Sequence, residues 1–188
     1  MFYQINRAGR ALRRKLASIW NGLVYGSALA KCGRGCHFAD GVHIGMPHKV
    51  WFGDNVYIDT GTIIGSELEE GTLTVGDRVQ LNAGVHLDFS GGVEIGDETL
   101  ISAGAVVFSH SHGLDPRSKP TGLSKIIGRN VWLGSGCVVM QSVRSIGDNA
   151  VIAAGALVTK DVPAGAIVAG NPARLVRFRD GEIAAAKD

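Results

Sequence analysis

The stretch "VVFSHSHGLDPRSKPTG", residues 106–122, sets His110 and His112 two apart between an apolar run and a polar, proline-punctuated segment. Imidazole changes charge near neutral pH, so such a pair can supply a general base, ligate a transition metal, or sit idle on a loop. A metal site needs a third ligand, and His86 is available for it. Side chains alternate in direction along a strand, and two residues of one short repeat seldom make a preorganised site, so no metal is expected here. A lone histidine on a turn is by default structural. The surrounding elements have to decide.

Those elements repeat every six residues from residue 32 onward. Large apolar side chains recur at Phe52, Ile58 and Ile64, then Val75, Leu81 and Leu87, then Ile95, Ile101 and Val107. Ile127, Leu133 and Val139 follow, and then Ile146, Ile152 and Val158. Four residues after most of these stands a short one, among them Val56, Thr62, Val79, Thr99, Ala105, Cys137, Ala150 and Ala156. Two inward positions in every six do not fit a 3.6-residue helix. They fit short strands joined by regular turns, with "FGD", "VGD" and "IGD" tripeptides as turn chemistry. Three hexads make a triangular coil, and coils stack as parallel strands about 4.8 Å apart. The expected fold is all-β, a solenoid of about five coils, and the 27 glycines with only 6% aromatics agree with a chain full of tight turns.

The same frame places Cys32 in a large inward slot and Cys36 and Cys137 in small ones, so the cysteines read as reduced core residues and not as a disulfide or metal pair. Three segments break the period. "SELEEGT" (66–72) reads as an acidic, solvated turn, and "VMQSVRS" (139–145) as a bulge with one extra residue. Residues 113–126 are the longest interruption and begin one residue after His112, where a long excursion from a rigid coil is expected to carry function.

Charge divides the chain as well. Residues 1–39 hold Arg7, Arg10, Arg13, Arg14, Lys15, Lys31 and Arg34 and no acid, although the whole chain is only +2. "RAGRALRRKLASIWNGL" has helical spacing, and its apolar runs fall short of the roughly 20 residues of a membrane span. Residues 1–31 are therefore expected to form a short basic amphipathic helix. It either packs on its own protein or a neighbouring subunit, or makes peripheral membrane contact through residues 1–20. Residues 32–173 form the solenoid with loop 113–126, and 174–188 a tail. No signal-peptide pattern stands out, so the expected location is cytoplasmic, at most on the inner membrane face. No feature suggests a nucleic-acid partner.

The ordered set "SHSHGLDP", "IIGRNVWLGSGCVV", "IGDNAVIAAGALVTKDVP" and "AGNPARLVR" resembles the hexapeptide-repeat acyltransferases, more narrowly the sugar and polysaccharide O-acetyltransferases. The resemblance runs from about residue 32 to 177. It implies a left-handed parallel β-helix, a homotrimer with active sites between subunits, and acetyl-CoA as cosubstrate. It also implies roles. His112, in "SHGLDP", matches the family's catalytic base, and Asn82, thirty residues earlier, matches an asparagine that orients the acceptor or the imidazole. The backbone N–H of Ser135 matches an oxyanion donor, and Ser135 with Ala154 matches positions that bind pantetheine. Trp132 matches an aromatic near the acyl end, Thr159 and Lys160 match the region of the CoA phosphates, and Arg177 is a further phosphate candidate. His110 is expected to be a loop residue with at most a part in acceptor binding. Asp88 is held as an acceptor contact against a solvated turn carboxylate.

The expected function is acetyl transfer from acetyl-CoA to a sugar hydroxyl, in cell-surface polysaccharide synthesis, with His112 as general base. Alternative acceptors are a free sugar, an amino-sugar amine, serine or a streptogramin-type antibiotic. Two further alternatives are a zinc protein like the γ-carbonic anhydrases, whose ligand spacing "HSH" does not reproduce, and a catalytically silent assembly module.

Overall fold

The computed structural model describes residues 2–179 and, on the N-terminal helix, the side chains from Leu12 onward apart from Arg14. The expected tail therefore lies outside the described residues from position 180 on, as do the side chains of Arg7, Arg10 and Arg14.

Apart from Cys32 and Cys36 at the open end, every inward position named by the period is buried, large and small slots alike. Phe52, Val75, Ile95, Ile127 and Ile146 stack in register on one face of the triangle. Phe38, Ile58, Leu81, Ile101, Leu133, Ile152 and Val168 stack on the second, and Ile44, Ile64, Leu87, Val107, Val139 and Val158 on the third. Strands of two or three residues suffice because each pairs above and below, so their polar backbone is satisfied by stacking and not by length. There are six full coils and the start of a seventh, more than the five expected. The surplus is the coil that opens at Lys31–Cys32 and the closing strand Ala166–Gly170, which folds back on Ala173–Phe178 as an antiparallel hairpin.

The turn chemistry at the first corner is a ladder. The backbone N–H of Asp54 donates to Oδ1 of Asp77, that of Asp77 to Asp97, and that of Arg129 to Asp148, each at 2.7–2.8 Å. The aspartate of each "GD" thus caps the coil before it. The residue after, such as Asn55 or Asn149, takes the left-handed conformation that asparagine tolerates.

The helix spans Phe2–Ala28, within residues 1–31, and lies against the open end of the first coil. Asn21 donates to the carbonyl of Ala39 at 2.7 Å, Tyr25 to that of Val42 at 3.0 Å, and the Tyr25 and Phe38 rings stand 5.2 Å apart. An end that would otherwise present unpaired edges is thereby partly covered. The cover is partial, and so Cys32 and Cys36, although inward, are only half-buried, in contrast to Cys137. Burial, with Cys36 beside it, still pushes the Cys32 thiol up to about 11. Among the described residues no helix is long and apolar enough to cross a membrane.

The extra residue of 139–145 has a buried occupant. Lys125 takes an inward slot in register with Val93 and is 1% exposed. Its ammonium donates to the carbonyls of Met140, at 3.1 Å, and Val143. The bulge turns carbonyls inward and the lysine satisfies them.

Candidate active site

Two corners of the triangle keep the six-residue step throughout. All the inserted residues fall at the third, between Ile44 and Phe52, Ile64 and Val75, Leu87 and Ile95, Val107 and Ile127, and Val139 and Ile146. That corner gathers the polar side chains.

The excursion after Val107 leaves as a strand, His110–Ser111, that pairs antiparallel with Thr121–Gly122. It runs so close to the preceding coil that a Cβ on Gly91 would stand 2.2–2.3 Å from the backbone of Leu123 and Ser109, so only glycine fits. His112 follows this strand by one residue, two from His110, and its ring turns to the same side. Their rings lie 5.2 Å apart and nearly perpendicular. The rings can meet because both histidines have left the hexad frame.

Beneath them sits Asp88, which is 5% exposed and is no solvated turn carboxylate. It accepts from the Ser90 N–H at 3.0 Å and hydroxyl at 2.5 Å, and from the Ser109 N–H at 2.6 Å and hydroxyl at 3.0 Å. His110 Nδ1 is 2.9 Å from its Oδ2. Burial pushes the carboxyl pKa up, but the donors from Ser90, Ser109 and His110 more than offset it, and the net shift is below the ordinary value. An ionised acceptor at this distance puts a proton on Nδ1 of His110, so in the neutral ring the lone pair lies on Nε2. His112 reaches the same state by another route. Its Nδ1 is 2.8 Å from the carbonyl of Ser118, which can only accept, so in the neutral ring its Nε2 likewise carries the lone pair. The Ser118 hydroxyl donates back to the His112 carbonyl and closes the loop on itself.

Glu67 completes the corner. Its backbone N–H donates to the Ser90 hydroxyl at 2.8 Å, and its carboxylate lies 3.6 Å from Nε2 of His110 and 3.4 Å from Nε2 of His112. The segment 66–72, read from sequence as a solvated acidic turn, thus delivers a carboxylate to the histidines. A cleft of about 540 Å³ lies behind this group, between Leu68, Ser90 and Gly91 and the hairpin residues Lys119–Gly122.

Asn82 is not in this corner. It begins the turn before strand His86–Asp88, at the other edge of the third face, up to roughly 20 Å from Asp88 along an extended chain. Ser135 and Ala154 stand on that same second corner in later coils, both exposed. Their carbonyl and glycine neighbours pair from coil to coil, as Gly155 N–H does with Ser135 O at 2.9 Å, whereas the N–H groups of Ser135 and Ala154 have no partner among the described residues. Gly134 permits that stacking, since a Cβ there would stand 2.5 Å from Ala154 N. Trp132 lies next to this corner, half-exposed, its indole donating to the Ser102 hydroxyl at 2.9 Å. Thr159 and Lys160 lie on the histidine corner, in a cleft of about 270 Å³ that Arg174 also lines. Arg177 does not line it and pairs with Ile167 on the closing hairpin. One chain therefore carries half of the expected constellation on each of two corners.

Residues 73–109 match the hexapeptide repeat of succinyl-transferases, and residues 124–160 match the six-repeat bacterial transferase hexapeptide. WbbJ of Escherichia coli K12, provisionally named a lipopolysaccharide biosynthesis O-acetyl transferase, is 30% identical over 139 residues, covering 67% of this chain and 70% of WbbJ. The chain is a hexapeptide-repeat transferase. The family builds the left-handed parallel β-helix that the coil represents. Galactoside O-acetyltransferase of E. coli K12 is 39% identical over 45% of the chain, and serine acetyltransferase 2 of Arabidopsis thaliana 40% identical over 54%. The chain spans only 43% and 31% of the length of these two relatives. The Bacillus cereus N-acyltransferase AntD, solved with dTDP and 3-hydroxybutyryl-CoA, shares the fold at a TM-score of 0.75 and 20% identity, over 85% of this transferase and 88% of AntD.

Proposed function

We propose that this transferase moves an acetyl group from acetyl-CoA to a sugar hydroxyl during cell-surface polysaccharide synthesis. The observation that carries the reading is the 2.8 Å contact of His112 Nδ1 with the Ser118 carbonyl. With Nδ1–H donated to the Ser118 carbonyl, Nε2 is a lone pair on a half-buried ring at the mouth of the excursion, ready to accept a proton. As the acceptor oxygen attacks the thioester carbonyl, its proton passes to Nε2. The tetrahedral intermediate then expels the CoA thiolate, which takes that proton from the imidazolium. The oxyanion needs fixed donors, and the unpaired N–H of Ser135 is one.

His112 and the Asn82–Ser135–Ala154 corner are separated within one chain, so the complete site forms where the histidine corner of one copy meets the amide corner of the next. A homotrimer closes three such junctions. At their cleft Lys160 and Arg174 supply cations, and Thr159 a hydroxyl donor, for the CoA phosphates. The sugar acceptor is supported by the names of WbbJ and galactoside O-acetyltransferase, while serine acetyltransferase and AntD carry the serine and amine alternatives. The N-terminal helix leaves Leu12, Leu16, Ile19, Trp20 and Leu23 exposed along one stripe, which suits peripheral contact with the inner face of a membrane from the cytoplasm.

The test is His112→Ala. Acetyl transfer should fall by on the order of 10²-fold or more, the usual share of a general base. Calorimetric binding of acetyl-CoA, one per chain, should stay intact. Near-normal turnover removes His112 from the chemistry, and no acetyl-CoA binding by the wild-type protein removes the acetyltransferase reading altogether.

A further inference from the structure

Three acceptors and no donor meet above the buried Asp88. In their neutral forms both histidines have spent their N–H groups, His110 on Asp88 and His112 on the Ser118 carbonyl, and two imidazole lone pairs and the Glu67 carboxylate then face one another. The three ligand atoms lie within 4.8 Å of one another. Such a set is satisfied only by something positive or proton-donating placed between them.

Its dimensions favour a metal. Zinc binds imidazole nitrogen and carboxylate oxygen at about 2.0–2.2 Å in tetrahedral geometry, which sets ligand atoms roughly 3.3–3.6 Å apart. Glu67 Oε1 stands 3.6 Å from Nε2 of His110 and Oε2 3.4 Å from Nε2 of His112, so each imidazole has a carboxylate oxygen near that spacing, and one oxygen lies within 4.8 Å of both. The outer partners also fit, because metal-binding histidines commonly donate their other N–H to a carboxylate or a backbone carbonyl, and here there is one of each. Two imidazoles and one carboxylate suit Zn²⁺ and neighbouring transition ions, not Mg²⁺ or Ca²⁺.

We infer that Glu67, His110 and His112 bind one Zn²⁺-class ion per chain, with the fourth position open, and that the ion switches transfer off. The second half rests on His112 being the base, since an ion on Nε2 occupies the lone pair that would take the proton. The carboxylate is the discriminating ligand. It comes from an exposed loop outside the hexad frame, so changing it leaves the coil and both histidines in place.

The experiment is zinc titration of the full-length, tag-free protein by calorimetry, repeated with Glu67→Gln and His112→Asn. Saturable uptake of one ion per chain is expected, weakened about 100-fold or more in each variant, since loss of an outer partner alone costs 10–100-fold. Cobalt in place of zinc should give the strong visible absorption of four-coordinate Co²⁺ in the wild type and lose it in Glu67→Gln. No saturable uptake, or uptake that both variants leave unchanged, overturns the site. Acetyl transfer should fall as the ion fills the site and return on chelation, and full activity with zinc bound overturns the switch while leaving the site standing. Acetyl-CoA binding, measured separately, reports on the enzymatic reading and not on the metal.

Discussion

Lys125 makes the interior of the coil sensitive to pH in a direction that can be worked out. Burial lowers its pKa from 10.5 to about 8, against an opposing pull from Asp161. Because the folded value lies below the unfolded one, the unfolded chain holds more protons between about pH 8 and 10.5, and stability rises with pH across that window. The full difference of about 2.5 pKa units corresponds to roughly 3 kcal/mol, of which about 2 kcal/mol is regained between pH 7 and pH 9.5. Lys125→Met removes the titration. It also leaves the Val143 carbonyl without the ammonium, at a cost of about 1–3 kcal/mol. At pH 7 the two effects oppose each other, so the variant should unfold close to the wild type in urea. At pH 9.5 the wild type should lead it by roughly 2 kcal/mol more than at pH 7. Taking the difference between the proteins cancels the titration of other groups. A gap that stays constant between the two pH values would refute the claim that this lysine is buried with a depressed pKa.

Asp88→Asn keeps shape but not charge, and an amide cannot accept from five donors. The variant should lose about 2–4 kcal/mol in denaturant unfolding, from charge-assisted hydrogen bonds worth about 1.5–3 kcal/mol each. It should also bind zinc 10–100-fold more weakly if His110 is oriented as described. Since the Asp88 carboxyl sits below its usual range, its contribution should persist in the wild type down through pH 4 and vanish only below that, which thermal melts at falling pH will read. At the other end of the molecule, replacing Leu16, Trp20 and Leu23 with serine should abolish sedimentation with anionic vesicles, and unchanged sedimentation would leave the helix only its packing role.

The inward residues were legible because each answers to its own hexad. Ile101 and Ala105 announce themselves by position, and the stack adds nothing that contradicts them. The candidate site was half legible. His112 stood out through "SHGLDP", but the loop carbonyl that sets its tautomer belongs to Ser118, a residue of no distinctive type. Glu67, Asp88 and Ser109 are spread over more than forty residues, and their convergence is a fact about stacking that no local pattern encodes. Cys32 and Cys36 show the complementary failure. Their inward positions were correct, yet the burial implied by position depends on a further coil that does not exist at that end.

That the polar groups gather at one corner has a physical reason. In a regular coil each strand pairs with the coils on either side, and a side chain can only point into the core or away from it. A catalytic or metal-binding group needs side chains from several coils to aim at one point, and a strict six-residue step forbids that. Only the corner where residues are added can tilt Glu67 from the second coil, Asp88 from the third and the histidines from the fourth toward one another. The regular corners serve the opposite need. Their uniform step presents repeated, unpaired N–H groups such as those of Ser135 and Ala154 in a column, which suits an extended ligand laid along the stack. A site that needs both kinds of surface cannot be built on one corner of one chain, which is why the proposed function places it at a junction between copies.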